Sequence, residues 1–330
     1  MKRGFATKRE ALEWEREFQQ QQSADLDMTF ESFIQIYKKD MEGRLKYNSW
    51  QIKNSIIEQK LLPSFGKKKM NEVLPSDIIQ WQNNMLKDNN GKKYSPHYLR
   101  GINAQLNAIF NHAVKYYELK SNPAKKVSNM GKSKNKEMLF WTKDEYIKFV
   151  NFTKKKPLYY CAFEILYWCG LRVGKLVALT PSDFDFIKST VTINKSYQRI
   201  KCKDIITTPK TEKSNRTITM PDFLNKTVQD YLNTLYGVQA TDRIFPITKN
   251  HLRSQMIKGA KEQDLKRIRI HDLRHSHVSL LIEMGFTALA IADRLGHESI
   301  NITYQYAHLF PSKQTEIADK LNLERTEGGS

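Results

Sequence analysis

A lysine-rich stretch, residues 120–136, divides the chain into two parts with different sequence patterns. It contains six Lys, one Pro and one Gly, and no acidic residue. Like charges repel one another, and Pro and Gly interrupt regular structure, so the stretch predicts an extended linker over residues 120–138. At 330 residues, the chain is long enough for two domains that each bury a core.

The part before the linker is predicted to be helical. Several segments place apolar residues at helical spacing, with breaks at Gly43, at residues 63–66 and at residues 89–91. Residues 28–119 are therefore expected to form one helical domain. The segment before it, residues 1–27, predicts a single amphipathic helix with too few apolar residues to stand alone. We interpret that segment as the end of a longer N-terminal region.

The part after the linker mixes helices and strands. Thr142 and Glu145 form a capping box that starts a helix. Three later segments alternate β-branched residues in the manner of strands: Thr190–Ile193, Asp204–Thr208 and Arg216–Thr219. We expect these segments to form one small sheet, and helical patterns return from Phe223 onward. The predicted fold class is mainly α with a small antiparallel β-sheet.

The net charge narrows the possible partners. Lys and Arg number 54 against 35 Asp and Glu, and the resulting charge of +19 attracts a polyanion through counterion release. The longest apolar run, 161–171, is interrupted by Glu164 and is too short to span a bilayer. The chain begins with charged residues rather than an apolar signal core, and its three Cys show no C-x-x-C spacing. We therefore expect a cytoplasmic nucleic-acid-binding protein without a membrane partner.

Six lysines are candidates for contacts with DNA phosphates. Five lie in the predicted linker, and the sixth follows a Gly-Leu-Arg motif in the second part of the chain. They are Lys125, Lys126, Lys132, Lys134, Lys136 and Lys175. A solvated tether without DNA contacts is the alternative interpretation for the five linker lysines.

The chain carries the side chains needed to attack a phosphodiester. His271 and Arg274 form a His-x-x-Arg motif, His297 follows Leu-Gly, Tyr306 comes nine positions later, and Arg172 adds a second guanidinium. A guanidinium can clamp two phosphate oxygens at once, and an imidazole can exchange protons. A phenol has an ordinary pKa of about 10, so as a nucleophile it needs nearby cations and a base.

A zinc site is the alternative for the first histidines of this region. His271 and His275 are spaced i, i+4, as in zinc-binding helices. That motif requires Glu after the first His, whereas this chain has Asp272, and Arg274 would place a fixed positive charge beside the metal. We therefore predict neither a metal nor another cofactor, and we interpret His275 and His277 as structural.

These motifs resemble those of the tyrosine recombinases, the family of phage integrases, and most of all those of the integrases of conjugative transposons. The resemblance extends over residues 29–324. It implies a SAM-like, core-binding DNA-binding domain over residues 28–119 and a mixed α/β catalytic domain over residues 139–310, which together close on DNA as a C-shaped clamp. It also implies that residues 1–27 are the remnant of an arm-binding region and that a tail, residues 311–330, docks on a neighbouring protomer.

The resemblance assigns the catalytic residues by position. The matching positions are Arg172, Lys210, His271, Arg274, His297 and Tyr306. The family's nucleophile falls nine residues after its second His, which leaves Tyr304 outside the site. Tyr304 and Tyr306 would point to nearly opposite faces of a helix, so only one can enter the site. Lys213 is the alternative to Lys210 for the family's hairpin lysine.

The implied activity is site-specific recombination that integrates and excises a mobile element. Tyr306 attacks the scissile phosphate to form a 3′-phosphotyrosine, and Lys210 protonates the leaving 5′-oxygen. The 5′-hydroxyl of a partner strand then reverses the reaction without ATP or metal. The implied partners are double-stranded DNA at element ends and insertion sites, other copies of the chain up to a tetramer in the synaptic complex, and an accessory excision factor.

One position departs from the family pattern. Three residues after the first Arg the family generally has an acid that helps to hold the active site, and this chain has Lys175. Two other function classes are therefore retained. A type IB topoisomerase would use the same chemistry to nick and close one duplex, and a DNA-binding regulator with weak catalysis would be consistent with Lys175.

Overall fold

The computed structural model describes residues 26–45, 47–87, 93–131, 138–200, 203–208 and 215–306. They belong to two compact units, one before and one after the boundary between Lys136 and Glu137. The predicted N-terminal helix, nearly all within residues 1–25, and the predicted tail, residues 311–330, lie outside the described residues.

The first unit is helical in its described part, as predicted. Its helices are α1 (Phe30–Met41), α2 (Tyr47–Ile56), α3 (Leu62–Phe65), α4 (Pro75–Leu86) and α5 (Pro96–Tyr116). A π-helical turn, Ile57–Leu61, joins α2 to α3, so the chain is helical from Tyr47 to Phe65 and the break predicted at residues 63–66 falls largely within α3. The hydroxyl oxygens of Thr29 and Ser95 cap α1 and α5 by accepting from backbone N–H groups in the first turns.

The apolar faces of these helices meet in one core. Phe30 and Phe33 of α1 and Ile102, Leu106 and Phe110 of α5 are completely buried. The i, i+4 spacing of the α5 residues explains this burial, because such residues share one face of a helix. The helices of the first unit therefore pack around α5.

Part of the predicted linker packs against the first unit. Ala124 and Met130 are buried, and Nδ2 of Asn122 donates to Oδ1 of Asn111 at 2.9 Å. Arg100 of α5 donates from Nε to the carbonyl of Gly131 at 3.0 Å. The prediction of an extended linker is therefore wrong for this packed part, residues 121–131.

The second unit surrounds the buried helix α7. Its helices are α6 (Lys143–Thr153), α7 (Pro157–Trp168), α8 (Val173–Leu176), α9 (Asp222–Asn233), α10 (Lys249–Glu262), α11 (Asp272–Glu283), α12 (Ala288–Leu295) and α13 (Asn301–Tyr304). Helices α6, α9 and α11 pack against α7. The capping box predicted at α6 is confirmed, since the backbone N of Thr142 donates to Oε2 of Glu145 at 2.8 Å.

Strands form two small antiparallel sheets in the described part of the second unit. The strands are β1 (Phe184–Asp185), β2 (Thr190–Ile193), β3 (Ser196–Ile200), β4 (Lys203–Thr207) and β5 (Arg216–Thr219). One sheet has the order β1-β2-β5, and β3 and β4 form a separate pair with Ser196 opposite Thr207. The three predicted strands exist, but the prediction that they share one sheet is wrong. β4 pairs instead with β3, a strand that was not predicted because its adjacent polar residues Gln198 and Arg199 interrupt the alternation typical of strands.

Candidate active site

Gly170 brings three segments of the second unit into contact. Its φ is +60°, in the left-handed region that favours glycine. A Cβ at this position would lie 2.6 Å from Cδ2 of His277 and 2.7 Å from Cδ2 of Leu295. Glycine therefore allows the turn after α7 to pack directly on α11 and α12. Arg172 follows in an extended conformation and starts α8.

Arg274 of α11 ties this turn to the end of α12. Its side chain is buried, and the guanidinium donates from Nη1 to the carbonyl of Gly170 at 2.7 Å and from Nη2 to the carbonyl of Leu295 at 2.9 Å. Two acceptors fix the plane of the group, and each Nη carries a second N–H that can bind an anion. The two contacts therefore fix the orientation of the Arg274 guanidinium.

His297 follows the C-terminus of α12. Gly296 ends the helix in the left-handed conformation, with φ of 63° and ψ of 53°. The His297 ring is buried, and its Nδ1 forms a hydrogen bond of 2.8 Å with Oγ1 of the buried Thr303. The glycine sets the direction in which the chain leaves α12, and Thr303 of α13 holds the ring.

Tyr306 is buried, whereas Tyr304 is exposed. The exposed fractions are 4% for Tyr306 and 53% for Tyr304. The Tyr306 hydroxyl forms a hydrogen bond with Nδ1 of His275, and the phenol lies in the electrostatic field of Arg274 and Arg172. The structure thus brings Tyr306, rather than Tyr304, to the other predicted site residues.

His275 connects Tyr306 to a buried carboxylate. Its Nε2 lies 3.7 Å from Oδ1 of Asp272, which is completely buried. Asp272 accepts from the backbone N of Arg269 at 2.7 Å and from the Nη2 of the same residue at 2.8 Å. The rings of His271 and His275 are neighbours, with centroids 5.2 Å apart.

The structural role predicted for His275 is thus incomplete. The i, i+4 spacing of His271, the N-cap of α11, and His275 in its first turns places the two rings side by side, with His275 bonded to Tyr306. The same spacing, which also occurs in zinc-binding helices, is the signal in the sequence that marks His275 as a neighbour of His271.

Burial and repulsion among cations govern the protonation of the site. Desolvation, followed by the fields of Arg172 and Arg216, lowers the pKa of Arg274 to about 9. Desolvation is also the main cause that lowers the pKa of His271 to about 4 and the pKa of His297 to about 4, and Arg274 and Arg172 contribute to both. Both imidazoles are therefore neutral at pH 7, while the guanidinium remains charged.

The Tyr306 phenol is protonated at neutral pH. Burial raises its pKa to about 12, and the fields of Arg274 and Arg172 oppose that rise. A nucleophilic phenol with such a pKa must transfer its proton to a base during attack.

Arg216, at the start of β5, is a cation of the site that the sequence did not reveal. Its Nε donates to the carbonyl of Arg294 at 2.8 Å. Its Nη1 and Nη2 are buried and have no hydrogen-bond partner among the described residues. Burial, followed by the field of Arg172, lowers the pKa of Arg216 to about 10. No motif marks this residue, and its place in the site depends on the packing of β5 against the end of α12.

Lys175 lies beneath the site rather than on its surface. Its backbone N donates to the carbonyl of Arg172 at 2.8 Å, and the residue is 5% exposed. Burial, followed by the fields of Arg216, Arg172 and Arg274, lowers the pKa of Lys175 to about 7. This buried position does not support the predicted direct contact of Lys175 with DNA phosphate.

The other predicted lysines fall into two groups. Lys125 and Lys126 are exposed on the 3-10 turn Pro123–Lys126 of the first unit. Outside the described residues lie Lys132, Lys134, Lys136, Lys210 and Lys213. Within the described ranges, no group of three His, Cys, Asp or Glu side chains is arranged to hold a metal ion, and no helix is long and apolar enough to cross a membrane.

Comparison with known proteins identifies the family of this chain. The Phage integrase family matches residues 140–313, and the N-terminal SAM-like domain of phage integrases matches residues 29–86. The ICEBs1 integrase of Bacillus subtilis (strain 168) is 31% identical over 96% of this chain and 90% of that protein. The chain belongs to the phage integrase family. It is a tyrosine recombinase, and the family predicted from the motifs is confirmed.

Solved structures of integrases share the fold of this recombinase. The Tn1549 transposon integrase in complex with transposon right end DNA has a TM-score of 0.71 at 20% identity, covering 91% of this chain and 100% of that chain. A lambda integrase dimer bound to a COC′ core site has a TM-score of 0.64 at 19% identity, covering 86% of this chain and 78% of that chain. The predicted fold class, mainly α with small antiparallel β structure, is confirmed.

Proposed function

We propose that this tyrosine recombinase integrates and excises a mobile element by cutting and rejoining DNA strands through a 3′-phosphotyrosine on Tyr306. The observation that carries the proposal is the position of the Tyr306 hydroxyl. It is buried, hydrogen-bonded to an imidazole and placed in the field of Arg172 and Arg274. Cations stabilise the charge that develops on a phosphate under attack, and an imidazole can take the phenolic proton.

The remaining site residues take separate roles in this reaction. Arg172 and Arg274 stabilise the charge on the two non-bridging oxygens of the pentacoordinate phosphorus. His297, whose Nδ1 is held by Thr303, donates from its other ring nitrogen to the same phosphate. His271 forms a hydrogen bond at the phosphate. By family resemblance, Lys210 protonates the leaving 5′-oxygen.

The reaction conserves the energy of the phosphodiester. One P–O bond is exchanged for another when Tyr306 attacks, and a 5′-hydroxyl of the partner strand exchanges it back. The proposed steps therefore consume no ATP, and the protein side chains supply the proton transfers and the charge stabilisation.

The DNA partners are proposed from charge and from the relatives. The net charge of +19 and the exposed Lys125 and Lys126 favour binding to phosphate backbones. The Tn1549 integrase is seen with transposon right end DNA, and lambda integrase is seen as a dimer on a core site and as a tetramer on a Holliday junction. By analogy, this chain binds double-stranded DNA at element ends and insertion sites and forms a tetramer on paired sites. From the family resemblance, we also propose that it acts in the cytoplasm and that excision uses an accessory factor.

An apolar groove in the second unit is the proposed acceptor for the tail, residues 311–330, of a neighbouring copy. The groove has a volume of about 580 Å³ and is lined by α11, α12 and the segment after β5. Phe223, Met284 and Phe286 line it and are 48%, 62% and 47% exposed. Exposed apolar patches of this kind favour burial against a partner, and the tail carries apolar residues at helical spacing. Removal of the tail should leave half-site binding intact and impair paired-site assembly in a gel-shift assay.

Covalent trapping tests the proposed chemistry. The substrate is a nicked duplex that carries an element end, so that the strand beyond the nick diffuses away after cleavage and the protein stays attached to DNA. Tyr306→Phe should abolish the adduct and leave DNA affinity within a few-fold, because it deletes one oxygen and no phosphate-binding charge. Tyr304→Phe makes the same change at an exposed position and should cleave normally.

Two outcomes would contradict the assignment. An adduct with Tyr306→Phe, or loss of the adduct with Tyr304→Phe alone, would place the nucleophile elsewhere. Relaxation of supercoiled DNA without recombination between two sites would instead support the topoisomerase interpretation.

A further inference from the structure

The proposed reaction requires an acceptor for the Tyr306 proton. The phenol is buried and protonated at neutral pH, so direct ionisation into water is unfavourable. Three imidazoles of the described residues are candidates for this role, those of His271, His275 and His297. Their hydrogen bonds distinguish which of them can accept the proton.

Among the described residues, the imidazole bonded to the Tyr306 hydroxyl is that of His275. Its Nδ1 is the bonded atom, and the two rings have centroids 5.5 Å apart. The Nδ1 of His297 is already engaged with Thr303, and His271 makes its ring contact with His275. A general base must lie within hydrogen-bond reach of the proton it removes, and His275 meets this condition.

A carboxylate lies on the far side of the His275 ring. When Nδ1 accepts from the phenol, Nε2 carries the ring proton and faces Oδ1 of Asp272 at 3.7 Å. Asp272 is completely buried, and both its oxygens accept from Arg269. A carboxylate at this distance from the ring stabilises the imidazolium that forms when the base takes a proton.

We infer that His275 is the general base that activates Tyr306 and that the carboxylate of Asp272 stabilises the protonated form of His275. In strand cleavage, the Tyr306 hydroxyl proton moves to Nδ1 of His275 while the Oη–P bond forms. The P–O5′ bond breaks, and the leaving 5′-oxygen takes a proton from the general acid, proposed above to be Lys210. In rejoining, His275 returns its proton to the departing phenolate. This inference rests on the proposed strand cleavage by Tyr306.

Charge around His275 favours this role. Burial lowers its pKa below the ordinary value, Asp272 opposes that shift, and Arg269 and Arg274 add to it. His275 is therefore neutral and able to accept a proton at pH 7. The attraction to Asp272 increases when the ring becomes charged, which stabilises the state that follows proton transfer.

The alternative is that His275 only holds Tyr306 in a resting position. In that case, removal of the imidazole would release the phenol and leave cleavage unchanged or faster. If His275 is the general base, removal of its imidazole should slow cleavage. Two substitutions separate these outcomes. His275→Asn keeps an acceptor near the position of Nδ1 without basicity, and His275→Ala leaves space for added imidazole.

The experiment measures single-turnover adduct formation by the full chain on the nicked element-end duplex between pH 6 and 9. We expect His275→Asn to lower the rate about 100-fold or more, within the range that general bases contribute. Its rate should rise with pH as hydroxide replaces the base, whereas the unsubstituted protein should show little dependence above pH 7. Free imidazole should restore part of the rate to His275→Ala and none to Tyr306→Phe.

Controls separate this inference from the proposed function and from misfolding. His251→Asn removes an exposed imidazole of α10 and should cleave at the normal rate. Thermal unfolding and half-site affinity are measured for every variant. Asp272→Asn should lower the rate less than His275→Asn does and should shift the pH dependence.

The outcomes are distinguishable. No adduct with the unsubstituted protein would contradict the proposed function itself. A normal adduct rate for folded, DNA-binding His275→Asn, or a rate for His275→Ala that does not respond to imidazole, would overturn the assignment of His275 alone.

Discussion

Arg274 donates from Nη1 to the carbonyl of Gly170 at 2.7 Å, across 104 positions of sequence. The same guanidinium reaches the carbonyl of Leu295, and Arg216 reaches the preceding carbonyl, that of Arg294. Carbonyls at the C-terminal end of a helix carry partial negative charge and attract cations. The end of α12 therefore anchors two guanidinium groups, and the geometry of the site depends on how closely the Gly170 turn packs against it.

Substitution of Gly170 by Ala should destabilise the recombinase and abolish cleavage. The left-handed conformation costs a residue with a Cβ about 1–2 kcal/mol. The clash with His277 and Leu295 adds to that cost, because the Cβ would come within 2.6 Å and 2.7 Å of their atoms. Gly237→Ala is the matched control, since Gly237 has φ of +68° but no atom within 4 Å of a Cβ.

Chemical denaturation and adduct formation check this expectation. Gly237→Ala should lose only the stability that the left-handed conformation costs, and it should cleave DNA normally. Equal stability losses for the two variants would show that the close approach of α11 and α12 to Gly170 is unimportant.

Residue types and spacing predicted most of the candidate site. Arg172, His271, Arg274, His297 and Tyr306 lie together in the structure, because each belongs to a dense motif with a chemical purpose. The main helices were also predictable, since their apolar residues recur on one face. These motifs and apolar patterns are local in the sequence, so they can be recognised without knowledge of tertiary contacts.

The missed features depend on tertiary contacts. The role of His275 depends on Tyr306, which is 31 positions away, and Arg216 enters the site through a carbonyl 78 positions away. β3 is polar, and its strand conformation is explained by its pairing with β4 rather than by an apolar pattern. The contacts of Arg216 and of β3 leave no periodic pattern in the sequence, whereas His275 is marked by its i, i+4 spacing from His271.

Arg216→Met should stabilise the free recombinase and slow its cleavage reaction. The hydrogen bond from the charged Nε group to the carbonyl of Arg294 contributes about 1.5–3 kcal/mol. The Nη groups of this buried cation have no partner among the described residues, and an uncompensated buried charge costs several kcal/mol. Removing the charge should therefore raise the free energy of unfolding by more than the lost hydrogen bond lowers it. Cleavage should slow because the phosphate loses part of the positive field that also includes Arg172 and Arg274.

Thermal melting without DNA and single-turnover cleavage measure these opposite effects. Arg216→Lys keeps the positive charge and should melt close to the unsubstituted protein. A clearly lower melting temperature for Arg216→Met would mean that the guanidinium is well compensated in the folded chain.

Lys175 should make the stability of the free recombinase depend on pH. Its pKa is lowered from 10.5 to about 7, so between these values the unfolded chain binds more protons than the folded chain does. Stability should therefore rise as pH increases from 7 to 9, by at most about 1.4 kcal/mol per pH unit. Below pH 7, the cost of the buried charge is fully present.

Urea unfolding at pH 7, 8 and 9 tests this dependence, with Lys175→Met as the comparison. The substitution removes the titrating group and keeps an unbranched side chain in the buried space. Its stability should vary less with pH over this interval. Identical pH dependence in the two proteins would show that Lys175 keeps an ordinary pKa in the folded state.

Lys210→Ala should slow strand cleavage by a factor that depends on the leaving group. The family resemblance makes Lys210 the donor of a proton to the 5′-oxygen, and loss of such a donor lowers a rate by about 10²–10⁴-fold. A substrate with sulfur at the 5′-bridging position releases a thiolate, which leaves without a proton. Lys210→Ala should therefore cleave the sulfur substrate nearly as fast as the unsubstituted protein does.

Lys213→Ala is the matched control, because it removes the same charge three positions away and should cleave both substrates normally. Adduct formation on the two substrates under single-turnover conditions gives the comparison. Slow cleavage of both substrates by Lys210→Ala would assign the lysine to phosphate binding, and sulfur rescue of Lys213→Ala instead would identify Lys213 as the donor.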